Sequence, residues 1–210
     1  MLMEIPALYS VFKNGEVRTA PAVIAGTNIS FASEPAKPEY SADELDERRP
    51  LAVVDVKGLE KRNIDDKLLK NLGFRGSDVW FLSHIYNIDD IFDCFMGNIV
   101  KTLMPYHTTK NNSVLKEAFE VSENCIPVIF VTNGTAVCRR GRLEEIGTHI
   151  REAEKIGFHE IIVFDTDSSM KRDDWTSIND RFPNIIPFVR NKDIPFEEIG
   201  FRMFISDHQR

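Results

Sequence analysis

Two carboxylates stand directly after apolar runs, Asp55 after LAVV and Asp165 after IIVF. An acid at such a place marks where a strand leaves the core. A pair of them could hold ribose-like hydroxyls or divide the work of general acid and base. The competing reading is structural, because Asp readily accepts loop N–H groups and caps helices. His84 and His107 follow two further apolar runs. A neutral imidazole titrates near pH 6.5 and can carry a proton. With Asp55 the two histidines could make a two-His, one-carboxylate metal set. No H-x-H or H-E-x-x-H spacing supports that set, so no metal and no cofactor is assigned.

The stretch HTTK places Thr108, Thr109 and Lys110 just before a helix that begins near Asn111. Hydroxyls, a cation and a helix N-terminus together suit an anion, although an ordinary Thr/Asn cap reads the same way. Lys57 and Arg190 follow other strand candidates and could offer charge to a phosphate or carboxylate. Asn133, Asp167 and Asp207 complete the polar groups expected at strand ends, beside Asn191. Cys94 and Cys125 read as small buried hydrophobes. Cys138 lies beside Arg139 and Arg140, which would lower a thiol pKa, but the sequence supplies no partner base. His149 and His159 lie in or next to a helix and read as surface residues.

These residues need a scaffold, and the chain alternates strand-like and helix-like segments from end to end. Strands are expected in MEIPAL and in the segments 51–55, 78–83, 99–105, 126–131, 160–165, 184–189 and 201–206. Near-continuous apolar runs of this kind suit parallel strands covered on both faces. Helices are expected at NIDDKLLKNLG (closed by Gly73), NIDDIFDCFMG, NNSVLKEAFEVS and LEEIGTHIREAEKIG, with shorter ones at DDWTSINDRF and PFEEIG. Eight strands with helices between them predict one α/β domain over residues 1–210, a compact (β/α)8 TIM barrel. An open doubly wound sheet has the same alternation and is the alternative. The first connection, residues 10–50, reads as a hairpin at Asn14-Gly15 followed by a long loop over one end.

Composition narrows the function. The 210 residues carry a net charge of −7, with 26 basic and 33 acidic side chains mixed along the chain. Only Arg139, Arg140 and Arg142 cluster, which is too little for the basic stripe of a nucleic-acid binder. Three cysteines without C-x-x-C spacing fit a reducing compartment. No apolar run reaches the roughly 20 residues of a membrane span. The expected location is the cytoplasm, without membrane or nucleic-acid partners, and self-association stays open.

Several stretches resemble the ProFAR isomerases of histidine biosynthesis, in order and over nearly the whole chain. IPALYSVFKNGEVRTA resembles that family's opening, and LAVVDVKGLEKRN resembles its second-strand signature. VTNGTAVCRRG, followed by a helix and then HEIIVFDTD, resembles its fifth-to-sixth-strand segment. The resemblance implies a phosphorylated-metabolite barrel with its site at the strand C-termini. The family's two catalytic carboxylates fall on Tyr9 and Phe130, and Phe130 can be neither acid nor base. Its Gly-rich phosphate turns fall on LSHIY, MPYHTTK, FVRNKD and FISDH, which contain no glycine. The resemblance therefore implies a relative that has lost or replaced the isomerase reaction.

The expectation is a barrel that binds a small anionic metabolite, with Asp55 and Asp165 as anchors or catalysts and His84 and His107 beside them. Proton transfer or isomerisation is the expected chemistry if it turns its ligand over. Two alternatives are a non-catalytic scaffold working through a partner and a metal-dependent lyase or hydrolase using the two histidines.

Overall fold

The computed structural model describes residues 2–38, 50–72, 78–190 and 192–207. Eight parallel strands run β1 Met3–Lys13, β2 Leu51–Asp55, β3 Val79–Leu82, β4 Lys101–Pro105, β5 Cys125–Thr132, β6 Ile161–Asp165, β7 Ile185–Val189 and β8 Met203–Asp207. Each pairs with its neighbour in chain order. The ring closes through the pairing of Met3–Ala7 with Met203–Asp207. The architecture is thus a closed (β/α)8-type barrel, and the open-sheet alternative is set aside. Its helices are α1 Val56–Lys61, α2 Asp66–Leu72, α3 Ile88–Met96, α4 Asn112–Val121, α5 Ile146–Ile156, α6 Arg172–Arg181 and α7 Phe196–Ile199. Gly73, Asn191 and part of the long first connection (39–49) lie outside the described residues.

Strand alternation divides the core in two. Ala52, Val54, Leu82, Leu103 and Phe164 point into the barrel, while Leu51, Val53, Phe81 and Val163 face the helices. Near the C-terminal mouth the interior is filled by Phe130, Phe164 and Phe188. The Phe164 and Phe188 rings stack at 3.8 Å between centroids. The barrel is a packed core and not a channel.

Three additions were not read from the sequence as elements. The short helix α1 follows β2 directly. The first connection holds the expected turn at Asn14-Gly15, after which β1 pairs back with Glu16–Thr19. It then forms a second hairpin, Ala22–Ala25 with Asn28–Phe31. Ala22 and Ile29 of this hairpin join the inner apolar cluster, so it caps part of the mouth. Finally, β5 turns at Asn133-Gly134 into Thr135–Val137, which pairs with Leu143–Glu144. The tight Arg139–Gly141 turn lies between those two short strands.

Candidate functional site

The same alternation decides where the polar strand ends point. Asp55 continues the outward parity of Leu51 and Val53, and Asp165 that of Ile161 and Val163. Neither carboxylate joins the histidines. Asp55 accepts hydrogen bonds from Gly58 N at 2.8 Å, Asp65 N at 2.9 Å and Ser83 Oγ at 2.8 Å. It caps α1 and ties down the loop to α2. A Cβ on Gly58 would lie 2.0 Å from the Asp55 carboxylate, so the Asp-x-x-Gly spacing has a structural cause. Burial raises the Asp55 pKa against these three donors. Asp165 accepts from Ser169 N and Met170 N, both at 3.1 Å. Burial lifts its pKa to about 6. The expected acid pair at one mouth is therefore corrected: both acids staple loops on the helix side.

Other expected ligand groups are also engaged within the fold. Lys57 pairs with Asp65 at 2.8 Å. Asp167 accepts from Thr132 Oγ1 at 3.0 Å and Asn133 N at 2.8 Å, which locks the β5 hairpin turn onto the loop after β6. Burial opposes the Asp167 charge, but donors from Ser169, Asn133 and Thr132 together hold its pKa near about 2. Asn133 serves that turn with φ 48°. Arg190 donates to Asp207 at 3.1 Å and to the Ala22 carbonyl at 2.9 Å. Tyr9 donates to Asp207 at 2.5 Å.

The histidines and the HTTK segment do come together. They line a cleft of about 1130 Å3, bounded by the loops after β3 and β4, the Arg139–Gly141 turn, the end of α1 and the tip of the mouth hairpin at Thr27-Asn28. His107 packs edge-on against Phe130 at 4.6 Å. Its Nδ1 is buried without a hydrogen-bond partner among the described residues. Burial pushes the His107 pKa down to about 4, helped by the neighbouring His84, whose own pKa burial also lowers. Both rings are thus neutral, proton-accepting groups near pH 7. The single Thr108 hydroxyl hydrogen lies between the Ile85 and Pro105 carbonyls, at 2.8 and 2.9 Å from Oγ1, and braces the loop. Thr109 Oγ1 donates to Tyr106 O and accepts from Arg139.

Sequence reasoning named Lys110 and saw the arginine cluster without assigning it to a site, and it missed Arg62. Arg62, Lys110, Arg139, Arg140 and Arg142 line the cleft, against one carboxylate, Asp90, among the described residues. Asp90 is held by the Tyr86 and Asn87 N–H groups at the start of α3. Arg139 lies over the Tyr106 ring and donates to Thr109 and Asn112. Arg142 reaches Glu144 at 3.5 Å. Arg62, Lys110 and Arg140 make no side-chain ion pair or hydrogen bond among the described residues. Arg62 and Arg140 have left-handed backbones, φ 58° and 63°. An L side chain there costs roughly 1–2 kcal/mol, and Gly or Asn would fit the turn better. The RRGR cluster was visible in the sequence, but Arg62 is brought to it only by the fold.

Behind the cleft wall, Cys138 Sγ lies 2.9 Å from His149 Nε2. His149 is buried, which corrects its reading as a surface residue, whereas His159 is exposed. The Cys138 thiol pKa is raised, by burial first and by Glu144 next; Arg142 and Arg139 pull it down without reversing the shift. Cys94 and Cys125 are buried as expected, and burial pushes each thiol up to about 12. Among the described residues no helix is long and apolar enough to cross a membrane. No protein-family model and no curated protein sequence matches the chain.

Proposed function

We propose that the barrel binds a small anionic, phosphorylated metabolite in the cleft over the C-terminal ends of β3, β4 and β5. One observation carries this reading: Arg62, Lys110 and Arg140 line one cleft without counter-charges among the described residues, and two of them sit on strained backbone. Unpaired guanidinium groups at a concave surface suit phosphate or carboxylate, which they can grip bidentately. The place matches the strand C-termini where ligands meet barrels of this type. The likeness to ProFAR isomerases points to the same ligand class, with side-chain cations replacing backbone donors of the missing glycine turns.

His107 and His84 are the groups fit for proton transfer on such a ligand, since both rings are neutral and border the cleft. They replace Asp55 and Asp165 in that role. The test is thermal unfolding of the whole chain with a panel of sugar phosphates and carboxylates. At 100 times its dissociation constant a ligand adds about 2.7 kcal/mol of stability. We expect a shift with phosphorylated members and at least a tenfold weaker affinity in Arg62→Ala/Arg140→Ala. Absence of a shift with every anion would sink the proposal.

A further inference from the structure

Twelve consecutive residues bring together a thiol, a carboxylate and an imidazole that the anion cleft does not use. Cys138 and Glu144 belong to the hairpin after β5. Their places are fixed by the Val137–Leu143 and Ala136–Glu144 pairing and by Cys138 N donating to Arg142 O at 2.8 Å. His149 comes from the first turns of α5. Its Nε2 is 2.9 Å from Cys138 Sγ and 3.2 Å from Glu144 Oε2, and the three donor atoms all lie within 4.8 Å of one another. We propose that Cys138, Glu144 and His149 bind a zinc ion as a three-ligand centre in the wall of the cleft.

A proton explains the cluster poorly. Nε2 offers either one lone pair or one hydrogen, so it satisfies the thiol or the carboxylate well, but not both. A cation accepts a lone pair from all three. Tetrahedral zinc with bonds of about 2.0–2.3 Å sets its donors roughly 3.3–3.6 Å apart. The imidazole–carboxylate pair already nearly meets that spacing, and the imidazole–thiol pair must open by about 0.6 Å. Thiolate plus carboxylate also neutralises a divalent ion, and a thiolate ligand favours zinc over magnesium or calcium. Behind the ring, His149 Nδ1 is buried without a hydrogen-bond partner among the described residues; Glu152 Oε2 lies 3.5 Å away, held by the Tyr106 hydroxyl at 2.5 Å. Glu152 is the nearest acceptor for an Nδ1–H, and a small turn of the ring on metal binding would close that contact and fix the tautomer that presents Nε2 to the metal. A reactive-thiol reading fits less well, because Glu144 and Glu152 crowd a site where an activated thiolate wants positive charge. Three protein ligands leave one position for water or a bound molecule, the pattern of catalytic zinc sites.

The test is a cobalt titration of the chelator-stripped full chain. A 1:1 complex with a near-ultraviolet thiolate-to-cobalt band, tetrahedral visible bands and displacement by zinc is expected. Cys138→Ser should abolish the thiolate band. Glu144→Gln should weaken zinc at least tenfold, and because Glu144 is half-exposed on the hairpin it serves even if the cysteine variant misfolds. Glu152→Gln should weaken zinc by about 10–100-fold with the band retained. Cobalt binding that is absent, or unchanged in both Cys138→Ser and Glu144→Gln, overturns the site. So does alkylation of Cys138 that zinc does not slow but His149→Gln does, which would instead mark a thiol–imidazole nucleophile.

Discussion

The barrel mouth has two unlike halves. Over β1, β7 and β8, the mouth hairpin sits on the apolar interior, and Tyr9 and Arg190 both donate to Asp207 beneath it. Over β3, β4 and β5, the mouth opens into the cleft, where among the described residues three cations lack counter-charges and His107 keeps an unpartnered ring nitrogen. Both halves present polar residues at the same level of the same fold. The difference is where their hydrogen bonds end. Charges satisfied inside the fold hold one side together, whereas on the other side exposed Arg62, Lys110 and Arg140 face the solvent where the proposed anion would meet them.

The largest effect should follow from breaking the closed half. Asp207→Ala removes the acceptor of the Tyr9 hydroxyl and the counter-charge of Arg190, leaving a buried phenol without that acceptor and a partly buried guanidinium with only the Ala22 carbonyl. Loss of such a partner costs about 2–4 kcal/mol. Urea unfolding should show that loss while anion affinity, measured under folding conditions, changes less than threefold. If stability is kept and anion binding is lost, the halves have exchanged roles.

A smaller and pH-dependent effect should distinguish the open half. His107 has a folded pKa of about 4 against an ordinary 6.5, because burial disfavours the imidazolium. The unfolded chain therefore binds the extra proton between those values, and the stability that neutral His107 confers is lost as pH falls from 6.5 to 4. The full change amounts to at most ~3 kcal/mol. Asp165 works in the opposite sense, since its raised pKa of about 6 makes the folded state less stable as pH rises toward 6. Wild type alone thus shows a partly cancelled profile. The difference between wild type and His107→Asn isolates the histidine: it should grow as pH rises from 4 to 6.5. A flat difference would mean that His107 is solvated and that the cleft floor is not as dry as its packing on Phe130 requires.

What the sequence made legible follows from what each signal encodes. Apolar runs and helical stripes report burial, and all eight strands and the helices expected between them appear near their expected places. The β1 strand runs on past MEIPAL to Lys13, because it becomes the first arm of a hairpin, which the apolar run does not mark. Site residues were harder. Asp55 and Asp165 were chosen because they end strands, but one step of alternation decides whether a strand-end side chain enters the mouth or faces a helix. The parity was readable: Asp55 is three residues after Ala52 and one after Val54, both inward. His84 and His107 have the inward parity of Leu82 and Leu103, and they reach the cleft. Arg62 and the Cys138–His149 pair carried weaker signals. Arg62 follows a helix too short to be marked by periodicity, and His149 occupies the buried face of α5, where an imidazole resembles any other helical polar residue.

The smallest effect bears on why the open half is built as it is. Arg140 holds φ 63° and ψ 23° in the turn between Thr135–Val137 and Leu143–Glu144. Glycine relieves the left-handed strain of roughly 1–2 kcal/mol and returns about 0.5–1 kcal/mol as freedom in the unfolded chain. Arg140→Gly should therefore leave stability unchanged or raise it by up to about 1 kcal/mol. The same variant should weaken phosphate-containing ligands several-fold in the thermal-shift panel, and Arg140→Lys should recover only part of that loss, because an ammonium cannot grip two oxygens in a fixed fork. A residue that costs stability and is missed only when an anion is present has been placed for the anion. If Arg140→Gly destabilises the chain and leaves anion binding intact, the arginine braces the hairpin instead, and the cleft's charge asymmetry rests on Arg62 and Lys110 alone.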